Sequence, residues 1–413
     1  MNSRFARLQP YPFEKLNDLL GGVAVPAASP IRLSIGEPQH PTPELVRRAL
    51  VDHLDGLAVY PTTGGTERLR HVLAEWFVRR YGLARLDGAT EVLPVNGTRE
   101  ALFAFAQAAV DAVGPLAPIV VSPNPFYQIY EGAAILAGAE LRLLNQTSGT
   151  GFGLDWDAIA EADWRRGQLV FVCTPGNPTG RVLSLEEWRG LFERADRYGF
   201  VIASDECYSD IYPDELAPPL GGLEAAHRLG RHDYRGLVVF VSLSKRSNAP
   251  GLRSGAVAGD AGLLRKFLLY RTYHGCSMSL PVQQASIAAW GDEAHVRENR
   301  EHYRRKFSAV VPMLASVMRV RQPDASFYLW AGVPAAAGGG HGPLGDDTVF
   351  ARDLFAATHV TVLPGQYLSR AAHGVNPGVG YVRMALVPPL DACAEAATRI
   401  VQFCQHTYGP VRD

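Results

Sequence analysis

Apolar runs of strand length at residues 119–122, 141–144, 169–173, 200–204 and 237–242 alternate with stretches of helical periodicity, among them 98–113 and 185–198. A strand that is apolar on both faces must be covered on both, and helices that cross between parallel strands do this. The pattern therefore predicts an α/β fold with a mostly parallel sheet between two layers of helix. Two further helices, 45–54 and 67–81, precede the alternation, the second after a turn-rich YPTTGG.

The rhythm breaks at a long amphipathic stretch from about 285 to 318. Beyond it, strand candidates at 326–331, 360–363 and 381–385 suit a smaller α+β unit, and the run AAAGGGHGP (335–343) reads as a flexible surface loop or insertion. Residues 1–30, with prolines and small side chains, read as an arm. At 413 residues the chain exceeds one ordinary domain. The expected division is an N-terminal arm joined to part of the small domain (1–49), a large α/β domain (50–290) and a small C-terminal α+β domain (291–413).

Charge narrows the range of partners. With 40 basic and 41 acidic residues the net charge is −1, which gives no electrostatic case for nucleic acid or an anionic membrane. No stretch approaches the roughly 18 apolar residues of a membrane span, and MNSRFARLQPYPFEKL lacks the apolar run of a secretory signal. The 5 cysteines are odd in number, widely spaced and without a CxxC pair, so they read as reduced thiols and not as a metal site. A cytoplasmic enzyme acting on small molecules is the expectation.

In an open α/β sheet ligands bind beyond the carboxyl ends of the strands, so the polar clusters there are the candidates. The run LVVFVSLS ends in Ser244 and Lys245, followed by RSNAPGLRSG. A buried lysine is expensive unless it becomes an imine, and desolvation also turns it into a base. Ser242 and Arg253 flank it and can reach a phosphate, one as a hydroxyl donor and one as a bidentate guanidinium. The run ending VIASDECYSD supplies Asp205, able to keep a ring nitrogen protonated, and Tyr208, able to donate to a ring oxygen. TPGNPTG holds Asn177 between prolines, so its amide is presented from a rigid turn. PVNGTREAL sets Gly97, Thr98 and Arg99 at a helix start, where backbone N–H groups and the helix dipole favour an anion. In SPNPFYQIYEG the spacing selects Tyr127 to stack on a flat ring. Singly, each has a plain structural alternative: Asp205 or Thr98 as a helix cap, Asn177 as a turn residue, Tyr127 as core.

Taken in order, IGEPxHPTP, YPTTGG, NGTREAL, TPGNPTG, DECY, SLSKxxxxxGLRSG and YVRMAL span nearly the whole chain and resemble the class I/II aminotransferases of the fold-type I pyridoxal-phosphate superfamily. The resemblance implies a mostly parallel, seven-stranded-type sheet and pyridoxal 5′-phosphate held as a Schiff base on Lys245, with Asp205 on the ring nitrogen. Tyr208 and Asn177 are implied as donors to the ring oxygen and Tyr127 as the stacked ring. Gly97, Thr98, Arg99, Ser242, Ser244 and Arg253 are implied as the phosphate cup. It implies further that Tyr60 reaches a phosphate across the boundary of a homodimer with shared sites. Arg383 and Gly36, with Asn177, are implied to bind the substrate carboxylate.

The implied reaction is ping-pong transfer of an amino group between an amino acid and 2-oxoglutarate. SKRSNAPGLRSG and YRTYHGCSMS look most like succinyldiaminopimelate aminotransferases of lysine and diaminopimelate biosynthesis. Arg246 departs from the common pattern, which has a small or neutral residue there. Arg246, Arg32, Arg99 or a residue of the partner subunit are the candidates for the distal anion of such a substrate. Alternatives are another class I aminotransferase of aromatic, aspartate or alanine type, a C–S β-lyase, or a non-catalytic ligand-sensing domain.

Overall fold

In the computed structural model, which describes residues 1–335 and 339–409, the predicted alternation folds as an α/β sheet. A short strand, β1 (Ile31–Arg32), precedes it. The central strands are β2 (Val92–Val95), β3 (Ile119–Asn124), β4 (Glu140–Asn145), β5 (Gly167–Cys173), β6 (Val201–Asp205), β7 (Leu237–Ser242) and β8 (Gly255–Gly259). They lie in the order β2-β8-β7-β6-β5-β3-β4, parallel throughout except for β8, which runs antiparallel to β2 and β7.

Successive residues of the inner strands face opposite layers. Val170, Val172, Ile202 and Val239 enter one core with Trp188, Leu191 and Phe192 of the helix Leu185–Tyr198. Leu169, Phe171, Ala203 and Phe240 enter the other with Leu102 and Phe105 of the helix Thr98–Ala109. This is the two-sided burial that the unbroken apolar runs required. The helix Leu185–Tyr198 starts at a capping box in which Ser184 and Glu187 satisfy each other's backbone N–H groups.

A second core gathers around β9 (Tyr328–Gly332). A hairpin follows, β10 (Pro334–Ala335) against β11 (Gly339–Leu344). Then come β12 (Val360–Thr361), β13 (Leu363–Pro364) and β14 (Tyr381–Ala385). β13, β14 and β9 form an antiparallel sheet, while β12 pairs with β1 and so ties in the N-terminal segment. Phe307 and Val310, Phe350 and Leu354, and Ile400 and Phe403 come from the covering helices Ala294–Ala315, Asp347–Thr358 and Leu390–Tyr408.

Four details differ from the sequence reading. The amphipathic stretch is two helices, Leu280–Gly291 and Ala294–Ala315, because Asp292 stops the first and its carboxylate accepts from the His295 N–H at 3.0 Å to start the second. Residues 360–363 divide between β12 and β13, which serve different sheets. Of the expected loop at 335–343, residues 336–338 lie outside the described residues and the rest pairs as the β10–β11 hairpin. β2 and β8 gave no strand signal: one contains Pro94, acceptable at the sheet edge where no N–H is needed, and the other is built only of Gly, Ala and Val. Among the described residues, no helix is long and apolar enough to cross a membrane.

Candidate active site

The carboxyl ends of β2, β3, β5, β6 and β7 open onto a cavity of about 440 Å³, within the size range of small-molecule sites. Ser242, the last residue of β7, caps the short helix Leu243–Arg246 by accepting from the Ser244 N–H at 3.0 Å. That turn sends Lys245 into the cavity, where its ammonium donates to the Gly36 carbonyl at 2.6 Å. Burial lowers the Lys245 pKa to about 8, reinforced by Arg383 and Arg253 and opposed by Cys207 and Glu37. A neutral amine, the form that attacks carbonyls and accepts protons, is thus available near neutral pH.

Asp205, at the end of β6, is buried, which pushes its carboxyl above the usual range. The Tyr130 hydroxyl donates to it at 2.7 Å and the Cys207 N–H at 3.3 Å, and both support the ionised form. Tyr208, on the turn that follows, lines the cavity with its hydroxyl 3.1 Å from that of Tyr328. Beyond β5, Asn177 accepts from an Arg383 Nη at 3.0 Å. Arg383 stands on β14 and donates its other Nη to the Ser34 carbonyl at 2.8 Å, with its guanidinium 4.4 Å from the centre of the Tyr328 ring. Its Nε is buried without a hydrogen-bond partner. A guanidinium that lines the cavity and is fixed by three neighbours is a prepared carboxylate site.

Gly97 links β2 to the helix Thr98–Ala109 with φ +89°, and a Cβ there would lie 2.1 Å from an Arg253 nitrogen. Only glycine permits this approach. The first-turn N–H groups of that helix have no intrahelical acceptor, so Thr98, Arg99, Ser242, Ser244 and Arg253 surround a region rich in donors. Arg253 is itself held by Glu100 at 2.6 Å and by the Pro250 carbonyl at 2.9 Å. After β3, the Tyr127 hydroxyl accepts from Arg99 Nε at 2.6 Å. Gly36 is as tightly constrained as Gly97, because a Cβ on it would fall 2.0 Å from the Tyr328 hydroxyl.

Lys245, Asp205, Tyr208, Asn177, Tyr127, Thr98, Arg99, Ser242, Ser244, Arg253, Gly36 and Arg383 therefore line one cavity, with Gly97 directly behind its wall. Tyr60 does not line it and is 99% exposed. Of the three arginines proposed for a distal anion, only Arg99 faces the cavity. Arg32 is exposed elsewhere, and Arg246 is buried against Glu293 at 2.6 Å and Asp210 at 3.3 Å. Sequence reasoning missed Tyr328, Tyr130, Cys207 and the arm residues Tyr11 and Phe13. Two of these, Tyr130 and Cys207, stood inside quoted motifs and had a signal that went unused.

Pyridoxal phosphate fits these groups: a low-pKa lysine, a buried carboxylate, an aromatic ring, a nest of donors for a phosphate and a held guanidinium for a carboxylate. The comparisons with known proteins agree. An aminotransferase from Neisseria meningitidis, solved as a crystal structure, superposes with a TM-score of 0.92 at 50% identity, covering 98% of this chain and 100% of that one. An LL-diaminopimelate aminotransferase of Desulforudis audaxviator is 32% identical, covering 96% of each chain. A probable N-succinyldiaminopimelate aminotransferase from Thermus thermophilus is 25% identical with a TM-score of 0.81, covering 95% of this chain and 99% of that one. Residues 28–400 match the family described as aminotransferase class I and II. The chain belongs to that family and is a pyridoxal-phosphate-dependent aminotransferase acting on small amino and keto acids.

Proposed function

We propose that the enzyme transfers the amino group of N-succinyl-LL-diaminopimelate to 2-oxoglutarate through Lys245, as a homodimer with shared sites. The observation that carries the substrate class is Arg99. It is the one cavity-lining cation, among the described residues, not already committed to the roles proposed for Lys245, Arg253 and Arg383, and it is exposed at the rim. A second anionic group on a long substrate can meet it there while the α-carboxylate meets Arg383. The relatives' names favour one further reading, LL-diaminopimelate itself as amino donor.

Bound pyridoxal phosphate supplies the carbonyl for amino exchange and an electron sink for the charge left on the substrate α-carbon. Lys245 would hold it as a Schiff base, and the Lys245 amine is the base placed to move the proton at the substrate α-carbon. The Asp205 carboxylate, held ionised by the hydrogen bonds from Tyr130 and Cys207, would keep the ring nitrogen protonated. Tyr208 and the Asn177 amide would donate to the ring oxygen, and Tyr127 would stack on the ring. Thr98 and the Arg99 backbone N–H at the helix start, with Ser242, Ser244 and Arg253, would hold the phosphate, Gly97 leaving Arg253 the room to do so and the Arg99 guanidinium free for substrate. Arg383, steadied by Asn177 and Ser34, and the Gly36 backbone orient the α-carboxylate.

A panel of amino donors with 2-oxoglutarate as acceptor tests the reading. N-succinyl-LL-diaminopimelate should have the highest kcat/KM, and Arg99→Ala should lower it with little effect on alanine. A higher value for LL-diaminopimelate would favour the second reading. Preference for an aromatic or short neutral donor, or pyruvate released from cystathionine without an acceptor, would remove both.

A further inference from the structure

We propose that Tyr328 is a positioning residue for amino transfer: its hydroxyl donates to that of Tyr208 and strengthens the hydrogen bond Tyr208 gives into the cavity, while its ring supports Arg383. The proposal rests on the reading above that Tyr208 faces the ring oxygen of pyridoxal phosphate.

The two hydroxyls are 3.1 Å apart and both side chains are buried. Tyr328 reaches the pair from β9 and Tyr208 from the turn after β6, so the contact joins the antiparallel sheet to the central one. The role proposed for Tyr208 sets the direction of donation. The Tyr328 oxygen abuts the α-carbon of Gly36, where an added Cβ would lie 2.0 Å away, and a C–H surface accepts no hydrogen bond. Both tyrosines line the cavity, and with the Tyr208 proton given to the ring oxygen, as proposed above, the Tyr208 oxygen is left to accept from Tyr328. Burial raises the Tyr208 pKa and keeps its hydroxyl protonated.

Hydroxyls in series polarise one another, so the outer bond strengthens when the inner one is present. The Tyr328 ring acts separately. Arg383 lies with its guanidinium 4.4 Å from the ring centre, a cation–π contact that phenylalanine would preserve and an aliphatic residue would not. The hydroxyl and the ring can thus be removed one at a time.

A hydrogen bond to the ring oxygen draws electron density from the conjugated Schiff-base nitrogen and makes it less basic. Weakening that bond raises the pH at which the nitrogen loses its proton, which is read directly from the visible absorbance of the loaded protein. The experiment titrates this absorbance in wild type, Tyr328→Phe, Tyr208→Phe and the double variant. Amino-donor KM is measured alongside for wild type, Tyr328→Phe and Tyr328→Leu.

The expected result is an upward shift of the midpoint in Tyr328→Phe, smaller than in Tyr208→Phe, with no further shift when Tyr328→Phe is added to Tyr208→Phe. KM should hold in Tyr328→Phe and rise in Tyr328→Leu. A wild-type midpoint in Tyr328→Phe alongside a shifted one in Tyr208→Phe would remove Tyr328 and keep the reading of Tyr208. An equal shift from Tyr328→Phe in both backgrounds would overturn the proposal, because the hydroxyl would then act without Tyr208. A midpoint unmoved by Tyr208→Phe would take down the reading of Tyr208 and the proposal together.

Discussion

Lys245 combines two properties that a surface lysine lacks: a fixed acceptor in the Gly36 carbonyl and a pKa lowered by burial to about 8. Only the neutral amine attacks the cofactor's aldehyde, so the rate at which cofactor-free protein takes up pyridoxal phosphate should depend on this group. With a lowered pKa the neutral fraction rises by about tenfold per pH unit below the midpoint and is constant above it. Stopped-flow absorbance should show the rate climbing until about pH 8 and then levelling. A rate that keeps climbing toward 10.5, the ordinary lysine value, would contradict the burial argument. Lys245, Asp205, Asn177 and Thr98 were legible because each stands just after an apolar run, where a polar residue is conspicuous. Tyr328 was not. It lies within a strand, reads as core, and meets Tyr208 and Arg383 only through packing that spacing does not encode. Arg246 misled for the opposite reason, since adjacent residues on a helix point about 100° apart, and the turn that sends Lys245 into the cavity sends Arg246 into the protein.

Among elements, the lysine-bearing turn is held from behind. Arg246 is sandwiched between Trp76 and Trp290, at 5.3 and 5.1 Å, and paired with Glu293 and Asp210. The Asn299 amide, on the helix Ala294–Ala315, donates to the carbonyls of Lys245 at 3.0 Å and Arg246 at 3.2 Å. Arg246→Met takes the cation from Glu293, whose side chain is 39% exposed, so it should cost about 1 kcal/mol. Asp210 would keep Arg80 alone as its cation. Thermal unfolding of the cofactor-loaded protein checks this, and an unchanged or higher unfolding temperature would show that the network is neutral to stability. The strands of the parallel sheet were readable because two-sided burial writes itself as an unbroken apolar run. β2 and β8 escaped because an edge strand tolerates Pro94 and a crowded strand is made of small residues.

For the whole molecule, the exposed apolar surface bears on the proposed homodimer. Leu57, Val59 and Tyr60 are exposed on one segment, and Leu269 and Tyr273 on the helix Ala261–His274. The segments adjoin, since Gly64 and Leu268 line the same shallow hollow. Exposed apolar side chains on adjoining segments are candidates for an association surface. Sedimentation should give twice the monomer mass of 44.9 kDa, and Tyr273→Glu should shift the protein toward monomer and weaken cofactor retention. A wild-type monomer with full activity would contradict shared sites. The α/β class was legible from alternation alone, whereas the pairing of β1 with β12 was not, because it joins two-residue strands far apart in sequence.

The most direct test of Lys245 uses the scarcity of lysine in this chain, which has only Lys15, Lys245, Lys266 and Lys306. The pyridoxal-phosphate-loaded protein would be reduced with borohydride, digested and mapped by mass spectrometry. A single phosphopyridoxyl adduct on Lys245, absent when the protein is first converted by glutamate, is the predicted result. An adduct on another lysine, or none on a protein that still transaminates, would contradict it.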